Sequence, residues 1–123
     1  MPVEASRIEH GIYLSRWVGD LGYEELRQGQ LDGLALVKAD GITQYVLIID
    51  MLQLGKLLQD VRTMRQIVQS DPHLEHVIVV GVSPALSFLA TTLQRLTGRF
   101  RDLQFCKTLD EAIQIARQRV ADF

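Results

Sequence analysis

The chain has a single cysteine, Cys106, so no disulfide can form within it, which fits a reducing compartment. It has no basic surplus: 13 Lys and Arg stand against 15 Asp and Glu, a formal net charge of -2. Nucleic-acid modules normally carry such a surplus, so a nucleic-acid partner is not expected. No apolar run approaches the ~20 residues of a membrane-spanning helix. The opening MPVEASRIEHG also lacks the apolar core of a signal peptide, and a cytoplasmic protein with no transmembrane segment is the expectation. A glycine-rich phosphate loop and a G-x-S-x-G elbow are both missing. No acid, base and nucleophile set can be assembled either, so a non-enzyme without cofactor or metal is expected.

What is present is an ordinary globular composition, 47% apolar and 23% charged over 123 residues. That is enough for one domain, spanning 1–123, to build a core without metal or disulfide support. The organising stretch is Gln44-Tyr45-Val46-Leu47-Ile48-Ile49-Asp50, a β-branched apolar run closed by a carboxylate. It reads as a strand buried on both faces, with Asp50 at its carboxyl end. Ligands and partners of open α/β sheets bind outside that end, which directs attention to the segment that follows.

Before this strand, Ile8, the turn at Gly11 and Ile12–Val18 suggest a β-hairpin ending at Gly19-Asp20, with one strand joining the main sheet antiparallel and the other at an edge. Asp20 to Lys38 looks helical, with Asp20 as cap, Glu24 and Glu25 near the start and Gly41 after the end. Tyr23, Leu26, Leu34 and Val37 recur at helical spacing. Gly29 and Gly33, four apart, share a face: either another backbone approaches there, or, as expected, the helix is locally weak or packs tightly on its own sheet.

After the central strand, Leu54, Leu57, Leu58, Val61, Met64 and Val68 mark a second helix, stopped by Asp71-Pro72. Arg62 and Arg65 suit its later half. His76–Val82 is a second buried strand, and Ser83-Pro84 opens a third helix lined by Leu86, Leu89, Leu93 and Leu96 and ended by Gly98. A short strand, Leu103–Cys106, leads to a helix capped by Thr108 with Glu111 at capping-box spacing. The expected fold is therefore α/β: an antiparallel N-terminal hairpin, then parallel βαβαβα, in one mixed sheet layered with about four helices.

Three parts of the chain carry a family resemblance. They are Tyr45–Asp50, the strand ending in aspartate; Val77-Ile78-Val79-Val80-Gly81 ahead of a helix; and Leu103-Gln104-Phe105-Cys106-Lys107-Thr108-Leu109-Asp110-Glu111-Ala112, a short strand, polar turn and acidic helix start. Together they resemble the STAS superfamily, the anti-sigma-factor-antagonist-like (SpoIIAA-like) domains related in fold to CRAL-TRIO lipid-binding proteins. The resemblance covers about 80 residues and rests on hydrophobic pattern. It implies a regulatory domain that binds a protein partner or a second copy of itself, with a small apolar ligand or lipid as the alternative. Family members are switched by phosphorylation of a Ser or Thr at the start of the helix after the central strand. Here no Ser or Thr lies between Asp50 and Arg62, so that switch is not carried over.

The candidate interaction surface is Asp50, Met51, Leu52, Gln53, Leu54, Gly55 and Lys56, with Ser83 beside it. Met51, Leu52 and Leu54 are apolar where a connection would ordinarily be polar. Either they fold back into the core, or they form an exposed patch of the kind that marks binding. Trp17 poses the same question, with core packing as the expectation.

Asp50, Ser83 and Lys107 also resemble the aspartate, hydroxyl and lysine of a response-regulator receiver. A receiver would need an acidic pair after its first strand and five βα units, whereas Gly19-Asp20 offers one carboxylate and only four strand-to-helix steps follow a hairpin. His73 and His76 have H-x-x-H spacing but few acidic neighbours, so loop solvation is expected over metal binding. Cys106 is expected to be a small buried hydrophobe rather than a reactive thiol. Arg95, Arg99 and Arg101 cluster about the Gly98 stop and are expected to be solvated.

Overall fold

Successive side chains of a strand leave opposite faces, so a run such as Val46-Leu47-Ile48-Ile49 needs cover on both sides. A computed structural model, which describes residues 3–57, 73–81 and 104–123, supplies that cover. Its elements are β1 (Val3–Glu9), β2 (Ile12–Leu21), α1 (Tyr23–Ala39), β3 (Tyr45–Leu57), β4 (Leu74–Val80), β5 (Gln104–Cys106) and α2 (Leu109–Ala121). The five strands form one mixed sheet in sequential order, β1-β2-β3-β4-β5. Only β1 and β2 pair antiparallel; β2, β3, β4 and β5 are mutually parallel.

The two helices cover opposite faces. Ile12, Leu14, Val46, Ile48, Ile78 and Val80 meet Ala112 and Ala116 of α2. Neither alanine exposes any surface, so the helix backbone lies close on the sheet. On the other face, Val3, Trp17 and Leu21 pack with Leu26 of α1, and Tyr13 and Tyr45 with Val37. The Gly29 backbone is pressed against the Val3 side chain, so its face is tight packing on the chain's own sheet; Gly33 has no such neighbour.

The α/β class, the hairpin, the parallel core and the Thr108 cap stand as expected. Glu111 N–H donates to Thr108 Oγ1 at 3.2 Å, while the Glu111 carboxylate accepts from Lys107 N–H rather than from the cap itself. Three expectations are corrected. The hairpin joins the main sheet through β2 in parallel, because α1 carries the chain back to start β3 in the same direction. Asp20 does not cap α1: β2 runs on to Leu21, drawn into the core beside Trp17, and Gly22 is the cap, its N–H bonded to Glu25 Oε2 at 3.1 Å. Leu54 and Leu57 belong to β3, not to a helix. Two helices occur among the described residues; the rest of the expected second helix, the helix after Ser83 and the arginines near Gly98 lie outside them.

Candidate functional site

At 13 residues β3 is long for a strand, and its last half has a different setting from its first. It pairs with β4 only as far as Asp50 opposite Val80. Gly81 then takes φ 77°, a left-handed conformation that glycine adopts without strain, and donates its N–H to Cys106 O at 3.1 Å. Beyond that point β3 continues beside β2, to Leu57 opposite Leu21.

The β2–β3 ladder shifts register twice on the way. Arg16 stands opposite Asp50, but Val18 stands opposite Gln53, so Met51 and Leu52 together face Trp17. Gly19 stands opposite Leu54 and Leu21 opposite Leu57, so β3 again holds one residue more than β2. These are β-bulges, and the first explains a pattern that regular alternation forbids. Met51 and Leu54 are three apart and would point to opposite faces of an unbroken strand. Both instead pack in the cluster of Val3, Trp17, Leu21 and Leu26. The residue displaced by this adjustment is Leu52, 56% exposed and the most exposed large hydrophobic side chain among the described residues.

Asp50 lies at the base of this bulge and is 5% exposed. Its Oδ1 accepts the Leu52 N–H at 3.0 Å, and its Oδ2 lies 3.4 Å from Arg16 Nε. The Leu52 side chain rests on Gly81: a Cβ built there would come within 2.6 Å of Leu52 Cδ2 and 3.2 Å of its Cα. At the second shift, a Cβ on Gly55 would meet the backbone of Gly19 and Asp20 at 3.1 and 3.2 Å.

The expected surface is thus rearranged. Met51–Gly55 is strand, not loop, because the β2 backbone satisfies its ladder. Asp50 is not a solvated strand end but a buried carboxylate midway along β3. The choice between core and exposed patch is divided among the residues: Met51 and Leu54 are half-buried, Leu52 and Gln53 are exposed. Lys56 follows in the same strand, and Ser83 lies outside the described residues. Arg16 and Gly81 complete the site and were not singled out from the sequence. Register alone brings Arg16 to Asp50, and the glycine's role depends on where Leu52 lands.

The receiver resemblance does not extend to the architecture. Receivers follow the strand order 2-1-3-4-5, whereas this sheet is sequential with an antiparallel edge strand. Asp50 is engaged by Arg16 and the Leu52 N–H, and Lys107 is exposed.

Trp17 is buried and donates its Nε1–H to Ser15 Oγ at 3.0 Å. His73 is exposed, and the His76 ring stacks on Phe123, with centroids 6.2 Å apart and planes 8° from parallel. Among the described residues, no three His, Cys, Asp or Glu side chains come together as a metal would require. Cys106 is half-buried against the α2-facing core. Burial raises its thiol above the ordinary range, Glu111 adds to the shift, and the thiolate that reacts is correspondingly disfavoured.

Solved structures that share this architecture include two described as SpoIIAA or SpoIIAA-like. The structure of the anti-sigma factor antagonist SpoIIAA in its unphosphorylated form matches with a TM-score of 0.60 at 15% identity, covering 94% of this chain and 97% of that one. An uncharacterized protein of the DUF3478 family with a SpoIIAA-like fold, from Shewanella loihica PV-4, matches at 0.66 and 14% identity, covering 93% of this chain and 91% of its own. No family model matches the sequence, and no curated protein does. At such identities it is the backbone that is shared: the chain has the SpoIIAA-like fold, a STAS-like arrangement of sheet and helices.

Proposed function

We propose that the chain is a single STAS-like domain, cytoplasmic and non-catalytic, that works by protein interaction through the bulged part of β3 from Asp50 to Lys56, with Leu52 at its centre. The partner is another protein or a second copy of this chain. The observation that carries this is the placing of Leu52. A large apolar side chain is held outside the core at a bulge and seated on Gly81, while Met51 and Leu54 beside it pack inward. The SpoIIAA likeness supports the regulatory class, since that solved structure is of an anti-sigma factor antagonist. Phosphorylation of this stretch is not part of the proposal, because Asp50 to Arg62 contains no Ser or Thr.

The test compares the wild-type chain with Leu52→Asp in pull-downs from the native host and in light scattering. The variant is expected to melt like the wild type, because the side chain it replaces is largely in solvent, and to lose its partner or its self-association. Normal association by Leu52→Asp would show that the surface has been assigned wrongly. A small apolar molecule found on the wild type by native mass spectrometry, and absent from the variant, would point to ligand binding instead.

A further inference from the structure

In an unbulged β3 continuing from Arg16 opposite Asp50, Leu52 would stand opposite Val18 and Gln53 opposite Gly19. Gln53 would then replace Leu54 on the face of Trp17 and Leu21, because a one-residue slip exchanges the two faces. The apolar pattern therefore favours the bulge. It does not by itself decide where the extra residue goes, since a bulged residue loses its regular place in the ladder.

We propose that Asp50 is the positioning residue that decides this: its carboxylate, pinned by Arg16, bonds the Leu52 N–H and so fixes Leu52 outward on Gly81. Three contacts bear on it. Oδ1 takes the Leu52 N–H at 3.0 Å, a charge-assisted bond sheltered from solvent. Oδ2 lies 3.4 Å from Arg16 Nε, so the carboxylate is held from the neighbouring strand. Gly81, where β4 has just ended, leaves room for the Leu52 side chain that no larger residue would leave. A buried carboxylate within a strand is costly unless bonded in this way, and a bare structural need would be met more simply by an apolar residue. The functional weight of this clasp rests on Leu52 being the contact residue; the clasp itself does not.

Nuclear magnetic resonance on the labelled full chain tests it, through the Leu52 methyl to Gly81 Hα contact and the exchange rate of the Leu52 amide. In Asp50→Ala the contact is expected to vanish and the Leu52 amide to exchange about tenfold faster or more, with Val46 and Ile48 unchanged. Asp50→Asn keeps one oxygen able to accept the same N–H but turns its amide nitrogen toward Arg16 Nε, a donor facing a donor, and is expected to restore both signals only in part. Should Asp50→Ala not fold, Arg16→Gln unpins the carboxylate and is expected to speed Leu52 exchange selectively. A folded Asp50→Ala with both signals intact, an Asp50→Asn that rescues neither, or an Arg16→Gln without effect each overturns the proposal. The two ideas fail separately. If Asp50→Ala frees Leu52 but Leu52→Asp still associates, the clasp stands and the interaction surface falls; the reverse pair of results removes the clasp alone.

Discussion

Tyr13 donates its phenolic O–H to Asp40 Oδ2 across 2.7 Å, tying β2 to the end of α1. Arg7 Nη1 lies 3.3 Å from the other oxygen, and the Tyr13 ring meets Tyr45 edge-on at 5.5 Å. Burial, then the bond to Asp40 and its charge, push the Tyr13 pKa from 10.0 up to about 12, against a smaller opposing pull from Arg7. The folded state thus favours the neutral phenol. Its contribution is fully present below pH 10, where the unfolded chain also keeps the proton, and is lost as pH rises toward 12. Denaturant melts across that window should show stability falling by on the order of 2 kcal/mol. Tyr13→Phe should lose about 1 kcal/mol at neutral pH and flatten the alkaline slope.

Gly29 and Gly33 look equivalent in sequence, one helical turn apart, but should respond oppositely to alanine. At Gly29 the new methyl would lie 2.7 Å from Val3 Cβ, so Gly29→Ala should destabilise by about 1–3 kcal/mol through overpacking. At Gly33 nothing lies within 4 Å and φ is not positive, so Gly33→Ala should stabilise by up to about 1 kcal/mol. Thermal melts of the two single variants check the sign of each.

Gly81→Ala combines two penalties, a side chain at φ 77° and a methyl driven into Leu52. It should cost about 1–3 kcal/mol and shift the Leu52 methyl resonance. Gly19 also has positive φ, at 74°, but nothing lies within 4 Å, so Gly19→Ala should carry the backbone penalty alone and leave Leu52 undisturbed.

Leu52 and Leu54, two residues apart, should separate stability from binding. Leu54→Ala removes a half-buried side chain from the Trp17 cluster and should cost about 1–2 kcal/mol, less than full burial would imply. Leu52→Ala should stay within about 0.5 kcal/mol of the wild type in chemical denaturation. A large loss at Leu52 would mean that its side chain does more for the fold than its exposure indicates.

The strands at Tyr45–Asp50 and His76–Val80 are legible because β-branched residues cluster there without helical spacing, Ile12–Val18 because the turns at Gly11 and Gly19-Asp20 bound it, and α2 because Thr108, Glu111 and the Ala112–Ala116 spacing agree. The continuation of β3 is not. Met51, Leu52 and Leu54 fit neither a period of two nor a helix unambiguously, and Leu54 with Leu57 can begin a helical stripe as easily as end a strand. Asp50 was found for its position after an apolar run. Its partner carries no such mark, since Arg16 lies 34 residues earlier and nothing in its local sequence distinguishes it from the other arginines.

Local pattern therefore determined the class of fold, the hairpin, the parallel run from β3 to β5 and the Thr108 cap of α2, because each was signalled by residues within a few positions of one another. The α1 cap and the direction in which β2 joins the sheet were not so signalled. The tertiary structure decided how far β3 runs, which strand it follows past Asp50, and which of three neighbouring apolar side chains is left outside. Those outcomes depend on register between β2 and β3, which the cluster of Trp17, Leu21 and Leu26 favours, and on the contacts of Asp50 with Arg16 and Leu52, all of them between residues that only the folded chain brings together.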